Sequence, residues 1–267
     1  MEKRIKDTQL FLFDMDGTLY LGNKLFDFTK QLLDTITQNG KRYMFITNNS
    51  SKSVTDYIKK LDNLGIKATY DDFLTSSQAT AYYLNKNYPN AVLYVCGTES
   101  LINELENNGY TVTDDINRAE CVVIGNDTEL TFKKLDDVSR ILLAKNDIPY
   151  IATNPDLVCP TEFGCVPDCG SFCDMLYNVC KRMPTYIGKP SPLMIQLAME
   201  KANVKPDNTA VIGDRIYTDV KSGINANALS VLVLSGETDE KILNESDVKP
   251  DIVLDDASYI TKVLNNE

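Results

Sequence analysis

The chain has 267 residues, 43% of them hydrophobic and 24% charged, with a formal net charge of −11 at pH 7 and no histidine. The length suits one core fold carrying a substantial insertion, and the acidic balance without any basic tract argues against a nucleic-acid partner. The missing histidine removes a Ser/His/Asp triad, a phosphohistidine route and the commonest zinc ligand.

In chain order, MEKRIKDTQ passes from polar residues into a short apolar run without the h-region of a signal peptide, and no apolar run reaches the roughly 20 residues that cross a bilayer. A cytoplasmic protein with no membrane partner is expected. Strands are expected at Gln9–Asp14, Arg42–Thr47, Ala91–Cys96, Cys121–Asn126, Pro149–Thr153, Thr209–Asp214 and Leu229–Gly236. Each is continuously apolar, as strands buried on both faces are. Between the early strands, FDFTKQLLDTITQNG and SVTDYIKKLDNLG have helical period and end at Gly40 and Gly65, suited to left-handed residues after a helix. Strands alternating with helices indicate an α/β fold built on a parallel sheet. Seven cysteines at irregular spacing give no disulfide framework. Cys165, Cys169 and Cys173 are spaced four apart, but Pro167 and Gly170 interrupt that helical face, so they are read as packing thiols rather than a metal site. ITNNS at 46–50 and ATNPD at 152–156 look alike, the second a decoy for the first.

Three signals sit where an apolar strand gives way to a loop, which is where open α/β sheets bind ligands: DMDGT after FLF, TNNS after MFI, and GDRIYTD after AVI. A fourth, IGKPSP, presents Lys189 just before a helix. At a strand end, residues i and i+2 point the same way, so Asp14 and Asp16 are expected to converge and to need a cation beside them. Mg²⁺ suits such a site, because it takes oxygen ligands and leaves room for a phosphate. Asp214 arrives from another strand as a further carboxylate, and Asp219 either lies beside it or stands just behind it. Thr47, Asn48, Asn49 and Lys189 are the chemical types that hold phosphate oxygens. Taken singly, an Asp-x-Asp before Gly is more often a turn, and TNN more often a helix cap. Phosphate-monoester hydrolysis needs accelerations up to about 10²¹, roughly 28 kcal/mol, against about 3–4 kcal/mol for one oriented donor, so only the whole set suffices.

Together, DMDGT, TNN, GKP and GDRIYTD resemble the four motifs of the haloacid dehalogenase superfamily. FDMDGTLYLGN, ITNNSSKS, ATNPDLVCP, IGKPSPLM, VIGDRIYTDV and VLVLSGET resemble its nitrophenylphosphatase-like, or NagD-type, subfamily. The resemblance implies a Rossmann-like three-layer core at 1–79 and 184–267 with a large inserted α/β cap at 80–183. It implies a Mg²⁺-dependent phosphatase for small phosphomonoesters (sugar phosphate, nucleotide or aryl phosphate). Asp14 would be the nucleophile that becomes an aspartyl phosphate, and Asp16 the acid and base. The Asp14 side chain, the Asp16 backbone carbonyl and the Asp214 side chain would be the metal ligands, with Thr47, Asn48, Asn49 and Lys189 binding the phosphoryl group. ATNPD falls in the cap, so Thr153 and Asn154 are not expected in the phosphate clamp. The segment Asn154–Phe172 is expected to face the active site, Tyr20 and Arg215–Thr218 either to border the pocket or to pack, and a homodimer through the cap is compatible with the type. Two alternatives stay open: a phosphotransferase or mutase that passes the phosphoryl group to another hydroxyl, and a non-catalytic phosphate-binding module.

Overall fold

The run LFLF forms a strand, Leu10–Phe13, with all four side chains buried, the pattern of a strand covered on both faces. The computed structural model describes residues 1–161 and 163–266; Glu162, within the segment expected to face the active site, and Glu267 lie outside them. Contacts divide the chain into two units, one of Met1–Thr47, Thr55–Leu74 and Lys189–Glu267, the other of Asn48–Val54 and Thr75–Gly188.

The first unit is built on a six-stranded sheet in the order Ile252–Leu254, Leu229–Val233, Thr209–Gly213, Leu10–Phe13, Arg42–Thr47, Phe73–Thr75. The pairings that join the first five are parallel. Phe13 lies opposite Ile212 on one side and Phe45 on the other, and these three strands end within two residues of one another at the same edge of the sheet. From Leu10–Phe13 the chain steps to Arg42–Thr47 on one flank and later returns to Thr209–Gly213 on the other. The order reverses at that point, and parallel sheets open a crevice there beyond their carboxyl ends. The helix Thr29–Gln38 buries Leu32, Leu33 and Ile36, and Gly40 and Gly65 adopt φ of 68° and 79° as their places after helices require. The expected strands are present, Arg42–Thr47 with the expected bounds and the others with one or both ends trimmed into loops. Phe73–Thr75 and Ile252–Leu254 are edge strands of three residues each, too short to carry a periodic signal.

The second unit has its own five-stranded sheet, ordered Thr185–Tyr186, Tyr150–Ala152, Cys121–Ile124, Val92–Cys96, Thr111–Val112, again with parallel pairings. Its core gathers Tyr94, Val122, Ile124, Val138, Ile141, Phe172 and Leu176. Cys169 and Cys173 are buried in that core on the helix Cys169–Cys180, which starts just past Pro167 behind an Asp168 cap, whereas Cys165 is exposed on the strand Gly164–Pro167. Among the described residues no helix is long and apolar enough to cross a membrane.

Candidate active site

Asp14 is the first residue past the central strand, and its N–H still donates to the Ile212 carbonyl at 2.8 Å, so the sheet itself fixes where its side chain starts. Asp214 leaves the neighbouring strand Thr209–Gly213 at the same level, and Asp219 comes from the π-helical turn Ile216–Val220 that follows. Such turns are rare and frequent at functional sites. Carboxylate oxygens of Asp14, Asp214 and Asp219 lie within 4.8 Å of one another. Lys189, 2% exposed, donates from Nζ to Asp14 Oδ1 and to Asp219 Oδ1, at 2.6 Å each.

One bonded ammonium, with the Arg215 guanidinium acting from beside it, does not balance three carboxylates. Burial, with Asp14 and Asp219 alongside, pushes Asp214 up to about 7. Burial likewise raises Asp219 to about 6, with Lys189 offsetting part of the rise and Asp14 adding to it. For Lys189 burial pulls the other way, but Asp14 and Asp219 outweigh it and hold the ammonium above its ordinary value. Asp214 Oδ1 is buried and accepts no hydrogen bond among the described residues. An unsatisfied buried acceptor costs about 1–3 kcal/mol. A divalent cation with oxygen ligands relieves both the missing partner and the surplus negative charge, so these residues fit such an ion.

Asp16 stands apart from this cluster. The strand stops at Phe13, so the alternation that would have turned Asp14 and Asp16 the same way ends before either residue. The Asp16 side chain is 57% exposed, accepts from Gly22 N–H at 3.3 Å and lies 4.0 Å from Lys60 Nζ, which also sits 4.0 Å from the centre of the Tyr20 ring. Tyr20 is buried and forms an isolated backbone bridge with Asp16. The third acid of the cluster is Asp219, whose place the motif had left open.

A further loop closes on Asp214, the one that ends the stretch VLVLSGET. After the strand Leu229–Val233, the Glu237 N–H donates to Asp214 Oδ2 at 2.7 Å and the Thr238 N–H to the Asp214 carbonyl at 3.2 Å. Ser235 Oγ donates to the Gly17 carbonyl at 2.7 Å. A Cβ at Gly17 or at Gly236 would overlap the Asp214 carboxylate, so both positions exclude any side chain while that carboxylate stays where it is.

Thr47 ends the strand Arg42–Thr47 in the first unit, while Asn48 and Asn49 fall by their contacts in the second. There Asn48 is buried, its Nδ2 donating to Asp156 Oδ2 at 3.0 Å, and Asn49 Oδ1 accepts from the N–H and Oγ of Ser51, each at 2.8 Å. The look-alike ATNPD has a local task. Asn154 Nδ2 donates to the Asn48 carbonyl at 2.8 Å and Thr153 Oγ1 to Ser50 Oγ at 3.0 Å, so one TN segment braces the other.

Comparison with known proteins gives two family matches, to a haloacid dehalogenase-like hydrolase model over residues 11–111 and to a HAD-hydrolase-like model over residues 186–259. The chain is 31% identical to an acid sugar phosphatase of Staphylococcus saprophyticus, covering 97% of this chain and 99% of that protein. It is 32% identical to the 5'-nucleotidase YutF of Bacillus subtilis, covering 92% and 94% respectively. Among solved structures, a 4-nitrophenylphosphatase from Thermotoga maritima superposes with a TM-score of 0.92 at 36% identity, over 97% of this chain and 98% of that one.

Proposed function

This chain belongs to the haloacid dehalogenase-like hydrolases, in the branch of NagD and the 4-nitrophenylphosphatases, and is a phosphatase; from that premise we propose that it hydrolyses small phosphomonoesters with Mg²⁺ through an aspartyl phosphate on Asp14. An Asp14 carboxylate oxygen attacks phosphorus while the bond from phosphorus to the substrate alcohol breaks, and Asp16 gives its proton to the departing oxygen. Asp16 then takes a proton from water, whose oxygen displaces Asp14 from phosphorus and releases inorganic phosphate. Exposure of the Asp16 side chain suits a group that must exchange protons with both substrate and water. Lys189 offsets the charge of Asp14 and Asp219 and offers a donor to a phosphoryl oxygen, as do Thr47, Asn48 and Asn49 in this reading. Asp14 and Asp214, with the Asp16 backbone carbonyl, would hold the ion and Asp219 would support it; bound there, it supplies positive charge against the phosphoryl oxygens.

The observation that carries the reading is the oxygen cluster of Asp14, Asp214 and Asp219, with Asp14 also 2.6 Å from Lys189, at the reversal point of a parallel sheet. Choice among leaving groups belongs in this reading to the inserted segment, placed at 80–183 from the sequence, and the working compartment is the cytoplasm. The relatives' names span sugar phosphates, nucleotides and aryl phosphates, so the class of substrate stays at small phosphomonoesters. A panel of phosphorylated metabolites with Mg²⁺ is expected to release inorganic phosphate from several members, with EDTA silencing the enzyme and added Mg²⁺ restoring it. Undiminished turnover in EDTA would remove the metal from the reaction, and a phosphorylated product in place of inorganic phosphate would make the enzyme a phosphotransferase.

A further inference from the structure

The Glu237 side chain is not one of the three clustered acids, yet it joins Arg215 and Tyr217, which follow Asp214 in the chain. Its Oε2 accepts from Arg215 Nε at 2.8 Å and its Oε1 from the Tyr217 hydroxyl. Meanwhile its own N–H holds Asp214 Oδ2. One residue of the loop after Leu229–Val233 thus grips Asp214 by its backbone and, by its side chain, the segment that leads from Asp214 into the turn carrying Asp219. The pair is a poor stability device. Arg215 and Glu237 side chains are 24% and 39% exposed, and ion pairs that open to water contribute about 0–1 kcal/mol. Its value lies in geometry: the planar guanidinium and the two-point carboxylate fix the angle at which the loop approaches. With Oδ2 taken by the Glu237 N–H, Oδ1 is left as the oxygen without a donor.

We propose that Glu237 is a positioning residue for the cation site, locking the Ser235–Thr238 loop through Arg215 and Tyr217 so that Asp214 keeps one oxygen tied and presents the other to the ion. This rests on the phosphatase reading for the existence of the ion. Partners that orient metal ligands typically cost 10–100-fold in metal affinity when removed. Calorimetric titration of Mg²⁺ into the full chain tests it, without substrate and alongside the thermal midpoint of the metal-free protein. Wild type is expected to bind and D214N to lose binding. E237A is expected to bind at least about tenfold more weakly with a metal-free midpoint close to that of wild type, and Y217F, which removes one hydroxyl from a half-exposed ring, to weaken in the same direction by less. Wild-type affinity in both E237A and Y217F overturns the proposal while leaving the metal in place, as does a midpoint loss in E237A that accounts for all the weakening while Y217F binds normally. No Mg²⁺ binding by wild type, or undiminished binding by D214N, would instead remove the ion site itself and this proposal with it.

Discussion

Asp14→Asn is expected to lower kcat for 4-nitrophenyl phosphate by at least about 10⁴-fold, the scale on which removing a nucleophile acts in enzymes that work through a covalent intermediate. The amide keeps the shape of the carboxylate and an acceptor for Lys189 Nζ, so the ammonium is not stranded; Asp219 remains its partner at 2.6 Å. The substitution also deletes one of three crowded negative charges. Stability is therefore expected to hold or to rise slightly, and the loss to be one of chemistry alone. Thermal melting beside steady-state kinetics separates the two. Activity within tenfold of wild type in a folded Asp14→Asn protein would contradict the nucleophile assignment.

Lys189→Met is expected to cost both activity and stability. Deleting the only ammonium bonded to Asp14 and Asp219 among the described residues leaves these carboxylates with only the more distant charge of Arg215 against them, and breaking a buried pair typically costs about 3–5 kcal/mol. Burial already pushes Asp214 to about 7 and Asp219 to about 6. Without the ammonium, which holds part of the rise in check at Asp219, that carboxyl moves further up in the folded state, while in the unfolded chain it stays at the ordinary value. A carboxyl raised on folding favours the folded state at low pH and loses that contribution as pH climbs through its folded value. The penalty of Lys189→Met is accordingly expected to be larger near pH 8 than near pH 5, with Mg²⁺ recovering part of it at the higher pH. Chemical denaturation of both proteins at the two pH values reads this out; a penalty independent of pH would show that Lys189 is not held against ionised acids.

The sequence exposed those parts of the site that depend on where strands end. Asp14, Thr47 and Asp214 each follow or close a continuously apolar run, and such runs are legible because both faces of the sheet are covered. Lys189 was legible from chemical type and from its proline neighbour. The orientation of Asp16 was not, because strand alternation was carried past Phe13, where the strand stops. Asp219 enters the cluster through a π-helical turn, a departure from the regular periods that pattern reading relies on. Glu237 acts across 20 or more residues on Arg215, Tyr217 and Asp214, and contacts of that kind leave no local pattern beyond the glycine at 236, which is required there by the closeness of Asp214. The buried role of Asn154 was hidden by its likeness to the segment it braces.

The most direct test of the central claim is to look for the bond it requires. Enzyme mixed with a good substrate and Mg²⁺, quenched in acid within one turnover and digested, is expected to carry a phosphate adduct on the peptide containing Asp14, localised to that residue by fragmentation and absent from the Asp14→Asn protein. Turnover proceeding with no adduct on any peptide, or with the phosphate on a residue other than Asp14, would contradict it.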